Sequence, residues 1–360
     1  MPRSYRPHDL HAAGSGTPLT LAAHGYFWTG IEQVDTSAGR TLRGQTYVEY
    51  FIPQDLKHPL PIVMVHGGGG QGLDYLGTAD GREGWAYWFM RRGYAIYVID
   101  RPQHGRSPFH PDAQGAMAPF APPAFLEQFF SQPEHYGHYP QAKLHDKWPG
   151  GARLGDAEFD HFHAESGPSL ADGEQHYRDC QRGAAELLDR IGPAIVMTHS
   201  AGGPVGWLVA DARPALVRAI IAVEPVGPPF SERPGAKLRW GIAPAPLTFD
   251  PPIASPDELR TAERPAPREG TVPCLLQAEP ARRLPNLTGF PIVVVTAEAS
   301  WMATDNHGMV DFLAQAGALV EHLRLEEHGV HGNAHALMLE SNSDAIAAVI
   351  EGWLGKKGLN

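Results

Sequence analysis

The sequence AIVMTHSAGGPVGW at residues 194–207 joins an apolar run to a serine among small residues. This order predicts a buried strand, a sharp turn at Ser200 and a helix directly after it. The turn requires small residues two positions before and after the serine, where this chain has Thr198 and Gly202. It presents the hydroxyl at a helix N-terminus, where backbone N–H groups stabilise negative charge. Ser200 is therefore the candidate nucleophile, and the alternative is a serine that caps the helix.

Other short apolar runs resemble the one before Ser200, and such runs are typical of strands buried on both faces of a parallel sheet. They are PIVMVH at 61–66, YAIYVID at 94–100, AIIAVE at 219–224 and PIVVVT at 291–296. Helical stretches lie near 84–93, 173–192 and 341–355, and residues 20–52 alternate as antiparallel edge strands do. The sequence therefore predicts an α/β fold with a mostly parallel central sheet flanked by helices.

Residues 102–170 and 226–288 interrupt this alternation and are rich in Pro, Gly and His. Both follow predicted strand ends, where open α/β sheets carry loops that bind ligands. We expect one domain over residues 1–360, with these two segments inserted as a lid and pocket walls. The alternative is that they are long surface loops without a role.

A run of glycines, Gly67 to Gly70, follows His66 at the end of the first apolar run. A glycine loop at this position can donate a backbone N–H to the oxyanion of acyl transfer, while the residue after the nucleophile donates a second. This predicts an oxyanion hole formed by Gly68 and Ala201. A phosphate-binding loop is excluded because no Lys-Ser or Lys-Thr pair follows the glycines; a flexible turn remains the alternative.

The general base should come late in the chain, and residues 326–342 offer His328, His331 and His335. The Gly and Asn beside His331 suit a turn, and the position of His335 before ALMLE and the last predicted helix is the one that the family resemblance given below implies for the base.

The candidate acid is Glu224, which ends the apolar run at 219–224. A carboxylate at a buried strand end is costly unless it is paired, so it marks a functional position. Glu298 and Asp305, which follow the next strand, are the alternatives.

The side chains expected to line a substrate pocket are Gly69, His199, Phe230 and Trp301, although core packing is the simpler role for the two aromatic residues. The 19 histidines include HYGHY at 135–139 and DHFH at 160–163, but neither has the spacing of a catalytic zinc site. No metal and no cofactor are therefore expected.

The net charge of −11 argues against a nucleic-acid or anionic-membrane partner. The first 27 residues contain no apolar run that would form a signal peptide or a membrane span. The default expectation is a soluble cytoplasmic protein, or a secreted or periplasmic one if a leader was removed. The sequence allows a homodimer and leaves open whether Cys180 and Cys274 are linked.

At this point the chain resembles the bacterial esterases of the α/β-hydrolase superfamily whose triad acid is a glutamate after the sixth strand. The motifs that carry the resemblance are HGGGG at 66–70, GREGWAYWFMRRGYAIYVIDRPQHGRS at 81–107, THSAGG at 198–203, VEP at 223–225 and HGNAH at 331–335. The resemblance implies a triad of Ser200, Glu224 and His335, and it makes DRPQHGRS at 100–107 a marker of the turn after the fourth strand. The chain departs from the family at Gly68, at Gly69 and in a longer segment after Glu224.

The expected function is therefore hydrolysis of a small to medium carboxylic ester, with aromatic esters among the candidates, through an acyl-enzyme. A lactonase or an amidase with the same triad is the alternative enzyme. A non-catalytic ligand-binding protein of the same fold is the alternative of another class.

Overall fold

The computed structural model describes Arg6, residues 18–233 and residues 237–360. The expectation of no signal peptide or membrane span concerns mainly residues outside this part of the chain. Within the described part, no helix combines the length and the apolar character needed to cross a membrane.

The central sheet has eight strands in the order β1-β4-β6-β5-β9-β10-β13-β14. Its first two neighbour pairs, β1 with β4 and β4 with β6, are antiparallel, and all the others are parallel. The strands of this sheet are β1 Leu21–Thr29, β4 Thr46–Pro53, β5 Ile62–Val65, β6 Ile96–Asp100, β9 Ala194–His199, β10 Val217–Val223, β13 Pro291–Thr296 and β14 Leu319–Arg324.

Three two-stranded sheets stand apart from the central one. They pair β2 Glu32–Thr36 with β3 Gly39–Arg43, β7 Met117–Ala118 with β8 Ser169–Leu170, and β11 Thr261–Arg264 with β12 Cys274–Gln277. The α-helices are α1 Trp85–Met90, α2 Pro111–Gln114, α3 Pro123–Leu126, α4 Ala157–Ala164, α5 Gly173–Ile191, α6 Gly203–Ala212, α7 Asn306–Gln315 and α8 Ser343–Lys356. A π-helical turn, Glu127–Ser131, continues α3.

Both faces of the central sheet are covered, which explains why its strands read as continuous apolar runs. Within β9, Val196 faces the side packed by α5, α6 and α7, and Met197 faces the side packed by α1 and α8. The strand lies fourth from the β14 edge, with β5 and β10 on its two sides. Its carboxyl end is therefore enclosed by neighbouring strand ends, and Ser200 follows directly.

The two interrupting segments contain two of the small sheets and, among the described residues, no strand of the central one. Residues 102–170 hold α2, α3, α4 and the β7–β8 pair, and the described part of 226–288 holds the β11–β12 pair. The organisation of residues 1–360 as one domain with a lid stays a prediction. Cys180 and Cys274 are both buried and free, so they are not linked to each other.

Candidate active site

The turn after β9 forces Ser200 into a left-handed backbone conformation with φ of 51°. Gly202 must be a glycine, because a Cβ there would lie 2.6 Å from the His66 carbonyl oxygen and 2.8 Å from that of Val65. Thr198 is accommodated because the residue across from it, Gly206, has no side chain. A Cβ at Gly206 would lie 3.1 Å from Thr198 Cγ2. The small residue that the turn requires two positions before the serine can thus be a threonine, because Gly206 in α6 leaves room for it.

The structure brings Ser200, His335 and Glu224 together in one chain of hydrogen bonds. His335 Nε2 lies 2.8 Å from Ser200 Oγ, and His335 Nδ1 lies 2.7 Å from Glu224 Oε2. Glu224 follows β10, also with a positive φ, of 46°. Its Oε1 accepts the Ala297 N–H at 2.7 Å, and its Oε2 also accepts the Ser300 hydroxyl. Both carboxylate oxygens therefore act as acceptors, which leaves the shared proton on His335 Nδ1.

The site is deeply buried, and this determines the charge of the imidazole. Burial, together with the nearby Arg233 charge, lowers the pKa of His335 to about 3. Burial also raises the pKa of Glu224, while the hydrogen bonds from Ser300 and Ala297 act in the opposite direction. A neutral ring protonated on Nδ1 leaves Nε2 free to accept the proton of the Ser200 hydroxyl.

The alternative bases and acids lie elsewhere. His331 has a side chain 60% exposed and bonds to Glu298, 3.0 Å away. His328 is also exposed. Asp305 is buried but forms an ion pair with Arg233 at 2.5 Å. Glu224, and not Glu298 or Asp305, is therefore the carboxylate that contacts the ring of His335.

The glycine loop lies against the turn that carries Ser200. A Cβ on Gly67 would lie 3.2 Å from Ser200 Cβ, and one on Gly68 would lie 3.3 Å from Ala201 Cβ. The two candidate oxyanion donors, Gly68 and Ala201, are thus neighbours beside the hydroxyl. His66 lies beneath them, fully buried, as expected for a structural residue.

A cavity of about 40 Å³ opens beside Ser200. Segment 102–170 supplies six of its lining residues, and the described part of 226–288 supplies none. The residues that line the cavity are Gly67, Gly68, Gly70, Asp74, Phe120, Leu126, Phe130, Phe162, Glu165, Ser166, His199, Ser200, Ala336, Met338 and Leu339.

Of the four residues expected to line the pocket, His199 lines this cavity and the other three do not. Gly69 is covered by the ring of Phe120, which a Cβ would approach to 1.8 Å. Phe230 does not reach the cavity because its ring packs against Phe312 in the core, with centroids 5.7 Å apart. Trp301 lies behind the base, edge-on to His335 at 5.4 Å between ring centroids.

Sequence reasoning missed a buried carboxylate, Glu340, that holds the loop of the base. Its Oε1 accepts the Ala334 N–H at 2.9 Å and contacts His145 Nε2 at 3.1 Å, and its Oε2 accepts from Asn333 at 2.6 Å. Burial alone would lower the pKa of His145, but its hydrogen bonds to Glu134 and Glu340 raise it to about 9. The signal available was a glutamate after four apolar residues at the end of HALMLE.

A second missed feature is a pair of carboxyl groups in the cavity wall, Asp74 and Glu165. Burial raises the pKa of Asp74 to about 6 and that of Glu165 well above its usual range, and the two groups are hydrogen-bonded to each other. The pair therefore retains one proton at neutral pH and carries a single negative charge in the cavity wall instead of two. Because the two residues are far apart in sequence, no local pattern indicates the contact.

Comparisons with known proteins agree with this geometry. A family model described as the alpha/beta hydrolase fold matches residues 61–242. The chain is 39% identical over 316 residues to the probable secreted lipase phiG of a fungal species (strain ATCC 74256), with 86% of each chain covered. The fold is similar to that of a solved bacterial esterase, with a TM-score of 0.62 and 23% identity over 95% of this chain and 98% of that one. The predicted fold class is thereby confirmed, and the chain belongs to the α/β-hydrolase fold family, among its esterase- and lipase-type serine hydrolases.

Proposed function

We propose that this protein hydrolyses carboxylic esters through a Ser200-His335-Glu224 triad and a covalent acyl-enzyme. The observation that carries the proposal is the continuous hydrogen-bond chain from the Ser200 hydroxyl through the imidazole to Glu224, with heavy-atom distances of 2.8 and 2.7 Å. These distances lie within the range that proton transfer between a nucleophile and its base requires.

In the first half-reaction, Ser200 Oγ attacks the ester carbonyl carbon while its proton passes to His335 Nε2. The carbonyl electron pair moves onto oxygen, and the N–H groups of Gly68 and Ala201 stabilise the resulting oxyanion. Collapse of this intermediate expels the alcohol, which leaves with the proton from Nε2. Water then attacks the acyl-enzyme by the same route and returns the proton to Ser200. Glu224 accepts from Nδ1 throughout and stabilises the imidazolium.

The size of the cavity favours a short acyl group. At about 40 Å³, the cavity has less than a tenth of the volume of the groove outside it, which suits a short acyl chain better than a long one. A wider groove of about 470 Å³ lies on the outer side of the wall formed by Phe162, Glu165 and Leu339. We expect the larger part of a small to medium ester to occupy this groove. An extracellular location is the first one to test, because the fungal relative is described as secreted.

Lactone or amide hydrolysis would use the same groups, so a substrate panel decides between them. Acetate, octanoate and benzoate esters should be compared with a γ-lactone and an anilide. A kcat/KM for the lactone or the anilide above that of all the esters would replace the proposal with one of these alternatives.

The assignment of the nucleophile is tested by Ser200→Ala, with Ser166→Ala as the matched control, because both serines line the same cavity. Turnover of p-nitrophenyl acetate and labelling by a fluorophosphonate probe should both disappear in Ser200→Ala and persist in Ser166→Ala. Absence of probe labelling in the wild-type protein would instead support a non-catalytic ligand-binding role.

A further inference from the structure

The turn DRPQHGRS at 100–107 carries a fully buried arginine, Arg101, that the reaction just described does not use. Its exposed fraction is 1%, and no carboxylate of the described residues forms an ion pair with it. Its neighbours in the turn differ, since Asp100 is paired with Arg106 at 2.7 Å. A guanidinium does not lose its charge in a protein, and an unpaired buried cation is costly. The cost of burying this charge indicates that Arg101 has a specific role.

Two of the hydrogen bonds of the Arg101 guanidinium go to backbone carbonyls beside the nucleophile. Its Nη2 donates to the Gly67 carbonyl at 2.6 Å, and its Nη1 donates to the Ala201 carbonyl at 3.3 Å. His66 supports the contact with the Gly67 carbonyl. The Nε2 atom of His66 accepts the Arg101 backbone N–H at 2.9 Å, so the proton of the neutral ring is on Nδ1. This Nδ1–H donates to the same Gly67 oxygen at 2.8 Å. Two donors therefore converge on one carbonyl.

The histidines around the guanidinium are neutral, so none of them adds a second positive charge beside it. His176 Nδ1 contacts Gln103 Oε1 at 3.0 Å, which leaves His176 Nε2 to accept from Arg101 Nη1 at 3.3 Å. Burial, followed by the charge of Arg101, lowers the pKa of both His66 and His104. The positive charge behind the glycine loop thus belongs to Arg101.

The carbonyl of Gly67 and the N–H of Gly68 belong to one planar trans peptide, so they point in opposite directions. Hydrogen bonds to the carbonyl oxygen fix that plane and polarise the N–H on its other side, because hydrogen-bonded groups in series strengthen one another. We propose that Arg101 is a positioning residue for the oxyanion hole: it orients and polarises the Gly68 N–H and places a positive charge behind the developing oxyanion. This inference rests on the proposed function, because it requires acyl transfer at Ser200.

The test uses Arg101→Met, which keeps the length of the side chain and removes its charge, with Arg106→Met as the control from the same turn. Arg106 pairs with Asp100 and Glu49, so its loss should lower the melting temperature while kcat stays within threefold of the wild-type value. Arg101→Met should lower kcat for p-nitrophenyl acetate about 100-fold, the effect of losing one oxyanion donor, with KM within threefold. A kcat within threefold of wild type, or a loss confined to KM, would overturn the proposal.

If Arg101→Met does not fold, Arg101→Lys decides the question, because it retains the charge but not the two-pronged contact. Binding of a trifluoromethyl ketone, which forms a charged adduct with the serine, should weaken at least fivefold, while binding of the matching methyl ketone stays unchanged. Equal weakening of both ligands would overturn the proposal. Ser200→Ala separates the two hypotheses: if that variant keeps the wild-type turnover, the proposed function fails, whatever the Arg101 variants show.

Discussion

Glu224→Gln tests the triad most sharply, because an amide cannot satisfy the donors that now contact this carboxylate. One oxygen accepts from Ala297, and the other accepts from Ser300 and His335. The NH₂ group of glutamine faces a donor in either orientation. When it faces His335, the ring moves its proton to Nε2, which then no longer accepts the proton of Ser200. The same carboxylate-to-amide exchange in a serine protease lowers kcat about 10⁴-fold, or about 5 kcal/mol, and we expect that loss here.

The assay is kcat for p-nitrophenyl acetate, measured alongside the melting temperature. Glu298→Gln is the matched control, since Glu298 also accepts from a histidine Nδ1, that of His331, and from the Gly332 N–H. Its kcat should remain within threefold of wild type. The reasoning is refuted if Glu224→Gln keeps more than a tenth of the wild-type kcat, or if Glu298→Gln loses as much.

Three further outcomes are expected. Burial lowers the pKa of His335, so kcat/KM should stay constant as the pH falls to 6.5. It should decrease only at lower pH, where the ring gains a proton. A pH–rate profile with its acid midpoint at or above pH 6.5 would contradict this. Phe162→Ala removes the side chain between the cavity and the outer groove. The ratio of kcat/KM for octanoate esters to that for acetate esters should rise at least about tenfold. An unchanged ratio would show that other residues limit the length of the acyl chain. Gly202→Ala places a Cβ 2.6 Å from a backbone oxygen and should lower the free energy of unfolding, measured by urea titration, by about 1–3 kcal/mol. In the control Gly289→Ala the new Cβ has no atom within 4 Å, so the free energy of unfolding should not decrease.

The central strands were predictable because burial on both faces leaves a continuous apolar signal. The run at 194–199 coincides with β9, and the long helix expected at 173–192 is α5, Gly173–Ile191. Strand β14 was not predicted. It lies at the sheet edge, its residues LVEHLR are mixed in polarity, and its side chains are largely exposed or half-buried. An edge strand lacks the two-sided burial that produces the signal.

The convergence of Ser200, His335 and Glu224 was predictable because each residue follows a strong local pattern, and the fold fixes their order along the chain. Segment 102–170 was expected to form pocket walls, but the residues in it that line the cavity, Phe120, Phe130 and Phe162 among them, were not predictable because the segment lacks strong periodicity. These residues come together only in the folded protein, so no short stretch of sequence indicates that they are neighbours. Phe230 shows the converse: its place near a strand end suggested the pocket, but its ring packs in the core.

The buried bridge from His145 to Glu340 has a consequence for how segment 102–170 can move. His145 belongs to segment 102–170, whereas Glu340 holds the backbone next to the base, so a swing of residues 133–148 as a unit would separate a buried charged pair. Because separating the pair leaves a buried charge without its partner, the bridge favours the arrangement in which residues 133–148 lie against the loop of His335. A movement of this segment and the position of the ring that contacts Ser200 are therefore coupled through one carboxylate.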